Sequence, residues 1–157
     1  MYYSNGNIMY DGDWIYNKPE GNGKYIWENG EYYIGEWKNG LRNGKGIEYY
    51  SNGNILYEGD WINGKFEGKG KYIYENGDYY IGQLKNDLSH GKGIEYYSNG
   101  NIKYKGDFVN DKKDGYGIYL WLKENKTSKP FSDFSNLLYN NNHFSKYIFQ
   151  FLHIHHL

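Results

Sequence analysis

One unit of 23 or 24 residues recurs five times between residues 10 and 125. Tyr10-Asp11-Gly12-Asp13-Trp14 returns as Tyr33-Ile34-Gly35-Glu36-Trp37 and Tyr57-Glu58-Gly59-Asp60-Trp61. It returns again as Tyr80-Ile81-Gly82-Gln83-Leu84 and Tyr104-Lys105-Gly106-Asp107-Phe108. The opening tyrosines alternate between spacings of 23 and 24, so the true period is a pair of units, 47 residues. One flavour ends Tyr25-Ile26-Trp27-Glu28-Asn29-Gly30, echoed from Tyr72. The other ends Ile47-Glu48-Tyr49-Tyr50-Ser51-Asn52-Gly53-Asn54-Ile55, copied from Ile94. Tyr2 to Ile8 matches Tyr49 to Ile55, so the expectation is a chain that begins inside a unit, without its first hairpin. Such a repeat predicts an array whose units stack on neighbours, and arrays of this kind bind or scaffold rather than catalyse.

Each unit reads as a β-hairpin. Tyr-x-Gly-x-Trp and the Gly-x-Gly-x-Tyr that follows it both alternate with period two. Between them stand Asn17, Gly40, Gly64, Asp87 and Asp111, residue types that tolerate the left-handed backbone of a tight turn. Placing Trp14 opposite Gly21 brings Gly12 to Gly23 and Tyr10 to Tyr25. The same register pairs Tyr57 with Tyr72, Tyr104 with Tyr119, Tyr33 with Glu48 and Tyr80 with Glu95. It sets Trp37 over Gly44 and Trp61 over Gly68, large rings protecting bare glycines. On the other face it sets Glu36 opposite Lys45 and Asp60 opposite Lys69, as exposed and weak ion pairs.

A single hairpin is marginal in water, so stability has to come from stacking. Hydrophobic residues make up 38% of the 157, and aromatics 21%. Tyrosine, 21 copies of it, replaces leucine as the packing material. The expected fold is all-β: an elongated single-layer antiparallel sheet with no deep globular core, closed by a short C-terminal helix. There are no cysteines, hence no disulfides and no thiol chemistry. No stretch reads as a signal peptide or a membrane span, which gives a cytoplasmic expectation. A net charge of −1 argues against nucleic acid as a partner.

The units resemble MORN (membrane occupation and recognition nexus) repeats. Tyr33-Ile-Gly35-Glu-Trp37-Lys-Asn-Gly40-Leu-Arg-Asn-Gly44-Lys-Gly46 carries the resemblance best, and it extends in register over residues 1–125. The Tyr-Tyr-Ser-Asn-Gly-Asn segments at 49–54 and 96–101 are similar to a variant found in bacterial antitoxin-like proteins. Glu48 and Glu95 depart from the pattern where it has tyrosine, and Leu84 where it has tryptophan. The resemblance implies an extended, twisted layer of hairpins acting as a scaffold along a groove. It also implies protein or peptide partners, dimers in some members, and an association of others with phospholipids at the inner face of a membrane or with the cell cortex. Kinase or methyltransferase domains accompany the repeats in several members, and 157 residues leave no room for one.

Composition changes beyond Lys123. Residues 126–157 form a non-repeat tail. Phe144, Tyr147, Ile148, Phe151 and Leu152 follow helical spacing and predict an amphipathic helix over 144–157, read as a cap on the last hairpin. His153, His155 and His156 cluster there, but without cysteine they do not make a zinc site. The Gly-Lys-Gly copies lack the Ser or Thr of a phosphate loop, and nothing resembles a nucleophile–base pair. No catalytic, metal-binding or cofactor-binding residue is expected.

The aromatic ladders are the candidate partner-binding residues: Tyr10, Trp14, Tyr33, Trp37, Tyr57, Trp61, Tyr80, Tyr104 and Phe108. Packing of hairpin on hairpin is the expected role for most of these rings, with binding left to those that stay exposed, and Tyr49, Tyr50, Tyr96 and Tyr97 of the alternate flavour are the other candidates. Lys45, Lys69 and Lys92 are the candidate contacts for anionic lipid. The functional expectation is therefore a non-enzymatic protein-interaction scaffold. A peripheral membrane adaptor is the alternative, an antitoxin-like protein a further one, and the N-terminal hairpin edge leaves room for a homodimer.

Overall fold

The computed structural model describes residues 1–121 and 147–151. Eleven strands lie in chain order in one sheet. The first five are β1 (Tyr10–Ile15), β2 (Lys18–Ile26), β3 (Tyr32–Lys38), β4 (Leu41–Tyr49) and β5 (Ile55–Ile62). They continue as β6 (Lys65–Ile73), β7 (Tyr79–Lys85), β8 (Leu88–Tyr96), β9 (Ile102–Val109) and β10 (Lys112–Trp121). The last is β11 (Tyr147–Phe151). β1 to β10 pair antiparallel, as the alternation requires.

The five hairpin turns have positive φ at both central residues: Tyr16/Asn17, Asn39/Gly40, Asn63/Gly64, Asn86/Asp87 and Asn110/Asp111. That is the turn whose twist matches two antiparallel strands. Between hairpins a second turn is closed by an asparagine: the Asn29, Asn52, Asn76 and Asn99 carbonyls each accept from the backbone N–H two residues on.

Ten glycines, one per strand, face one another in an unbroken row. It runs Gly12, Gly23, Gly35, Gly46, Gly59, Gly70, Gly82, Gly93, Gly106, Gly117. The row is a trough without side chains, and the rings of Tyr10, Tyr33, Tyr57, Tyr80 and Tyr104 lie in it. Each is at most 2% exposed. Each hydroxyl donates to the carbonyl three residues on, at 2.8–3.2 Å. A Cβ on Gly46 would land on the ring of Tyr33, and one on Gly70 on the ring of Tyr57. Burial pushes the phenols of Tyr33, Tyr57 and Tyr80 well above their ordinary pKa.

The register corrects one expectation. Trp14 pairs with Pro19, Trp37 with Arg42 and Trp61 with Phe66, rather than with Gly21, Gly44 and Gly68. Two extra residues bulge from the second strand of every hairpin, and Gly21, Gly44, Gly68, Gly91 and Gly115 take the positive φ this needs. The tryptophans instead oppose the bulge glycine of the preceding unit: Trp37 faces Gly21 and Trp61 faces Gly44. Their indole N–H groups donate to Gly23 and Gly46 carbonyls, each at 3.2 Å. A chain of edge-to-face contacts results. Trp37 meets Tyr10 at 5.5 Å and Tyr33 at 5.2 Å, and Trp61 meets Tyr33 at 5.1 Å and Tyr57 at 5.2 Å. Each such pair contributes about 0.5–1.5 kcal/mol beyond area burial.

The bulge also changes the ion pairs. Glu36 and Asp60 accept from the backbone N–H of Lys45 and Lys69 rather than from their ammonium groups. The ion pairs cross to the next unit, Lys45 to Asp60 and Lys92 to Asp107.

The tail differs from expectation too. Tyr147–Phe151, inside the segment expected as helix 144–157, is a strand that pairs parallel with β10. β-Branched and aromatic residues fit a strand, and the outer edge of β10 offers a row of backbone groups to one added strand. The rest of that segment, with His153, His155 and His156, lies outside the described residues.

Gly46→Ala is expected to lower stability by about 1–3 kcal/mol through overpacking. Gly53→Ala, where nothing lies within 4 Å of the new Cβ, costs only the left-handed strain. Urea unfolding of both variants compares them, and an equal or smaller loss at Gly46 would refute the trough. The hydrogen-bonded Lys45 ammonium holds the Asp60 carboxyl below the usual carboxylate range. A depressed folded pKa stabilises above the unfolded value and is lost as pH falls through the folded one. Lys45→Ala should therefore cost about 0.2–1 kcal/mol near neutrality and nothing once Asp60 is protonated in both states, as read by thermal melts across that range.

Candidate interaction surface

Trp37, Trp61, Leu84 and Phe108 roof the tyrosine trough on one flank, and the other flank is more open. There a second aromatic row runs past the ends of β2, β4, β6 and β8: Trp27, Tyr50, Tyr74 and Tyr97. Tyr3 continues it toward the N-terminus, its hydroxyl donating to the Ile26 carbonyl at 2.8 Å. Tyr50 makes the same bond to Ile73 at 2.8 Å, and burial pushes its phenol up to about 12. Tyr74 and Tyr97 remain 40% and 37% exposed. The turn geometry fixes this row, because each ring stands immediately before an asparagine-closed turn.

Beside the aromatics sit cation–carboxylate pairs: Lys103 with Asp78, the ammonium 5.5 Å from the centre of the Tyr97 ring, and two more built on Glu48 and Glu95. Arg42 Nη1 donates to Glu48 Oε1 at 2.7 Å, and Nη2 donates to the Gly64 carbonyl at 2.8 Å. The guanidinium carbon lies 4.1 Å from the centre of the Trp61 ring. Burial raises the Glu48 pKa, with Arg42 opposing the rise. Lys113 Nζ lies 2.8 Å from Glu95 Oε2, at an angle that makes an ion pair rather than a hydrogen bond. The same ammonium lies 4.9 Å from the ring centres of both Tyr104 and Tyr119. Glu48 and Glu95 occupy the place that tyrosine takes in the alternate units, so a cation held over the ladder substitutes for a ring.

Of the nine candidate partner-binding aromatics, eight are buried: Tyr10, Tyr33, Trp37, Tyr57, Trp61, Tyr80, Tyr104 and Phe108. Only Trp14, 37% exposed at the N-terminal end, presents a ring to solvent. The ladders are therefore packing material in this structure, and on the trough face the row from Trp27 to Tyr97 offers partly accessible rings, half-buried at Trp27 and Tyr50 and exposed at Tyr74 and Tyr97. Of the candidate lipid contacts, Lys45 and Lys92 are paired with Asp60 and Asp107, and Lys69 is exposed on the same face. Arg42, Glu48, Glu95 and Lys113 were not candidates by sequence. The signal for them was present in the departures Glu48 and Glu95 and in the single arginine of the chain. Arg42→Ala should cost about 1–3 kcal/mol by leaving the Glu48 carboxylate buried and unpaired, and Glu48→Gln in that background should restore part of it. Additive losses in the double-mutant cycle, measured by urea unfolding, would show that the pair is not coupled.

Among the described residues no group of three His, Cys, Asp or Glu is placed to hold a metal ion. No curated protein matches the chain. The MORN repeat matches it five times, over residues 10–32, 33–55, 57–79, 80–102 and 104–123. The glycine trough, the tyrosine laid in it and the hairpin turns all fall at the same place in each matched segment. With most of its length taken up by these non-catalytic units, the chain belongs to the MORN-repeat family.

Proposed function

We propose that this protein is a non-enzymatic interaction scaffold that takes a peptide or protein segment along the open flank of its tyrosine trough. The observation that supports the reading is the row Trp27, Tyr50, Tyr74, Tyr97, half-buried at its first two rings and exposed at Tyr74 and Tyr97. It presents one ring per unit on a rigid sheet, and aromatic rings with a polar tip are favoured at binding surfaces. The Arg42–Glu48 and Lys113–Glu95 pairs beside it supply polar groups for orientation. The lysines Lys45 and Lys92, whose charges are already satisfied, give little support to an anionic-lipid adaptor.

The row is tested by panning a displayed peptide library against the full chain and against Tyr74→Ala/Tyr97→Ala. The wild type should enrich peptides with apolar or aromatic anchors. The variant should lose them by tenfold or more while its circular dichroism and melting point stay unchanged. Enrichment of the same peptides by the variant would move the site elsewhere. Salt-sensitive co-sedimentation with anionic vesicles, without peptide enrichment, would replace the scaffold by the membrane adaptor.

A further inference from the structure

The face opposite the tyrosine trough carries its own pattern, which the trough does not explain. One row across the strands runs Lys24, Ile34, Ile47, Glu58, Lys71, Ile81, Ile94, Lys105. A neighbouring row sets Ile26, Tyr32, Tyr49 and Ile55 side by side, then repeats as Ile73, Tyr79, Tyr96 and Ile102. The result is two chemically identical apolar patches, 47 residues apart in sequence, separated by the Glu58–Lys71 column. Ile34 and Ile81 stand 43% and 42% exposed at their centres.

The patches are pre-arranged. Tyr32 stacks on Tyr49 at 4.4 Å and 12°, and Tyr79 on Tyr96 at 4.6 Å and 11°. Lys24 lies 4.5 Å from the centre of the first ring and Lys71 4.6 Å from that of its counterpart. Four strand spacings, about 19 Å, separate one patch from the other. An occupant that fills both must repeat with the same spacing, and a second copy of this chain does.

We propose that two copies of the chain pack face to face through this surface. The twofold axis lies between the sheets, parallel to the strands and midway between β5 and β6. That operation lays Ile47 over the partner's Ile81, Ile34 over the partner's Ile94, and each tyrosine pair over the partner's other pair. It lays Glu58 over the partner's Lys71. In the third row it lays Asp60 over the partner's Lys69 and Glu36 over the partner's Lys92. Every one of these contacts occurs twice by symmetry. A twofold axis across the strands would instead set Glu58 on the partner's Glu58 and Lys71 on the partner's Lys71, so charge selects between the two arrangements. The like-charged contact, Lys24 over the partner's Lys105, falls at the rim where solvent screens it. Eight strands by three rows span roughly 38 Å by 20 Å, close to the ~800 Å² per partner of a standard interface. Two sheets of the same hand of twist pack aligned at about −30°.

The test is sedimentation equilibrium of the full chain over a concentration series. The wild type should be a dimer, and Ile34→Glu/Ile81→Glu a monomer with an unchanged circular dichroism spectrum. Glu58→Lys and Lys71→Glu should each weaken self-association tenfold or more. Mixed in equal amounts, these two variants should form a heterodimer with affinity close to wild type. Each variant keeps two like charges within its own chain, so only pairing between chains can give that rescue. A monomeric wild type, a dimer that survives the isoleucine substitutions, or a mixture no tighter than its components would each overturn the proposal.

Discussion

A tyrosine ring lying flat on a row of glycines is the contact on which the rest of this sheet depends. A single layer has no second sheet or helix to bury its apolar face, so it has to make a core from its own side chains. Ten facing glycines lower one stripe of the sheet by the height of a side chain. Five tyrosines fill the stripe and reach near-complete burial within one layer. Each hydroxyl finds a carbonyl three residues on, so the polar tip is satisfied without opening the stripe to water. Glycine weakens a strand when isolated. Here its cost is offset because the absent side chain is replaced by a neighbour's ring.

The two-residue bulge turns separate hairpins into an array. Without it, each tryptophan would close over its own hairpin and the units would stack through backbone pairing alone. With it, Trp37 and Trp61 bridge the tyrosine of their own unit and that of the unit before. Lys45 and Lys92 follow the same displacement and pair with the unit after. Side chains of both faces therefore couple neighbours, which is the nearest-neighbour energetics of a repeat protein. Where Leu84 replaces tryptophan, Phe66 stacks on Tyr57 at 4.0 Å and keeps the apolar contact continuous.

Much of this architecture could be read from the residues. Period-two alternation located the hairpins, and asparagine, aspartate and glycine located the turns. The pairs Gly12–Gly23, Tyr10–Tyr25 and Tyr33–Glu48 follow from strand alternation alone. The register failed beyond the glycine row because a bulge adds residues without altering the alternation on either side of it. That one displacement moved Trp14, Trp37 and Trp61 off their expected glycines and replaced both expected ion pairs. Packing of most ladder rings was legible, but which rings stay accessible was not, since a single-layer sheet gives no reason in sequence for one face to be closed and the other open. In Tyr147–Phe151 helical spacing and strand composition coincide, and an available sheet edge decided between them.

The two faces of the layer are suited to different tasks for a physical reason. On the trough face the large rings are consumed by packing, so what remains accessible is a sparse row of aromatics beside paired charges. Sparse anchors on a rigid base suit a ligand that supplies its own apolar side chains. On the other face the charges pair between units, but the isoleucines and tyrosines are not closed off from solvent. Ile34 and Ile81 are exposed there and the stacked tyrosines half-buried, and the charges alternate with a sense that only a twofold partner along the strands reverses. If the open face is closed by a second copy, both troughs point outward and the assembly becomes a two-sided plate with a binding flank on each side. Two flanks held at fixed separation would bind a divalent partner far more tightly than one, without any new contact, because the second engagement is intramolecular.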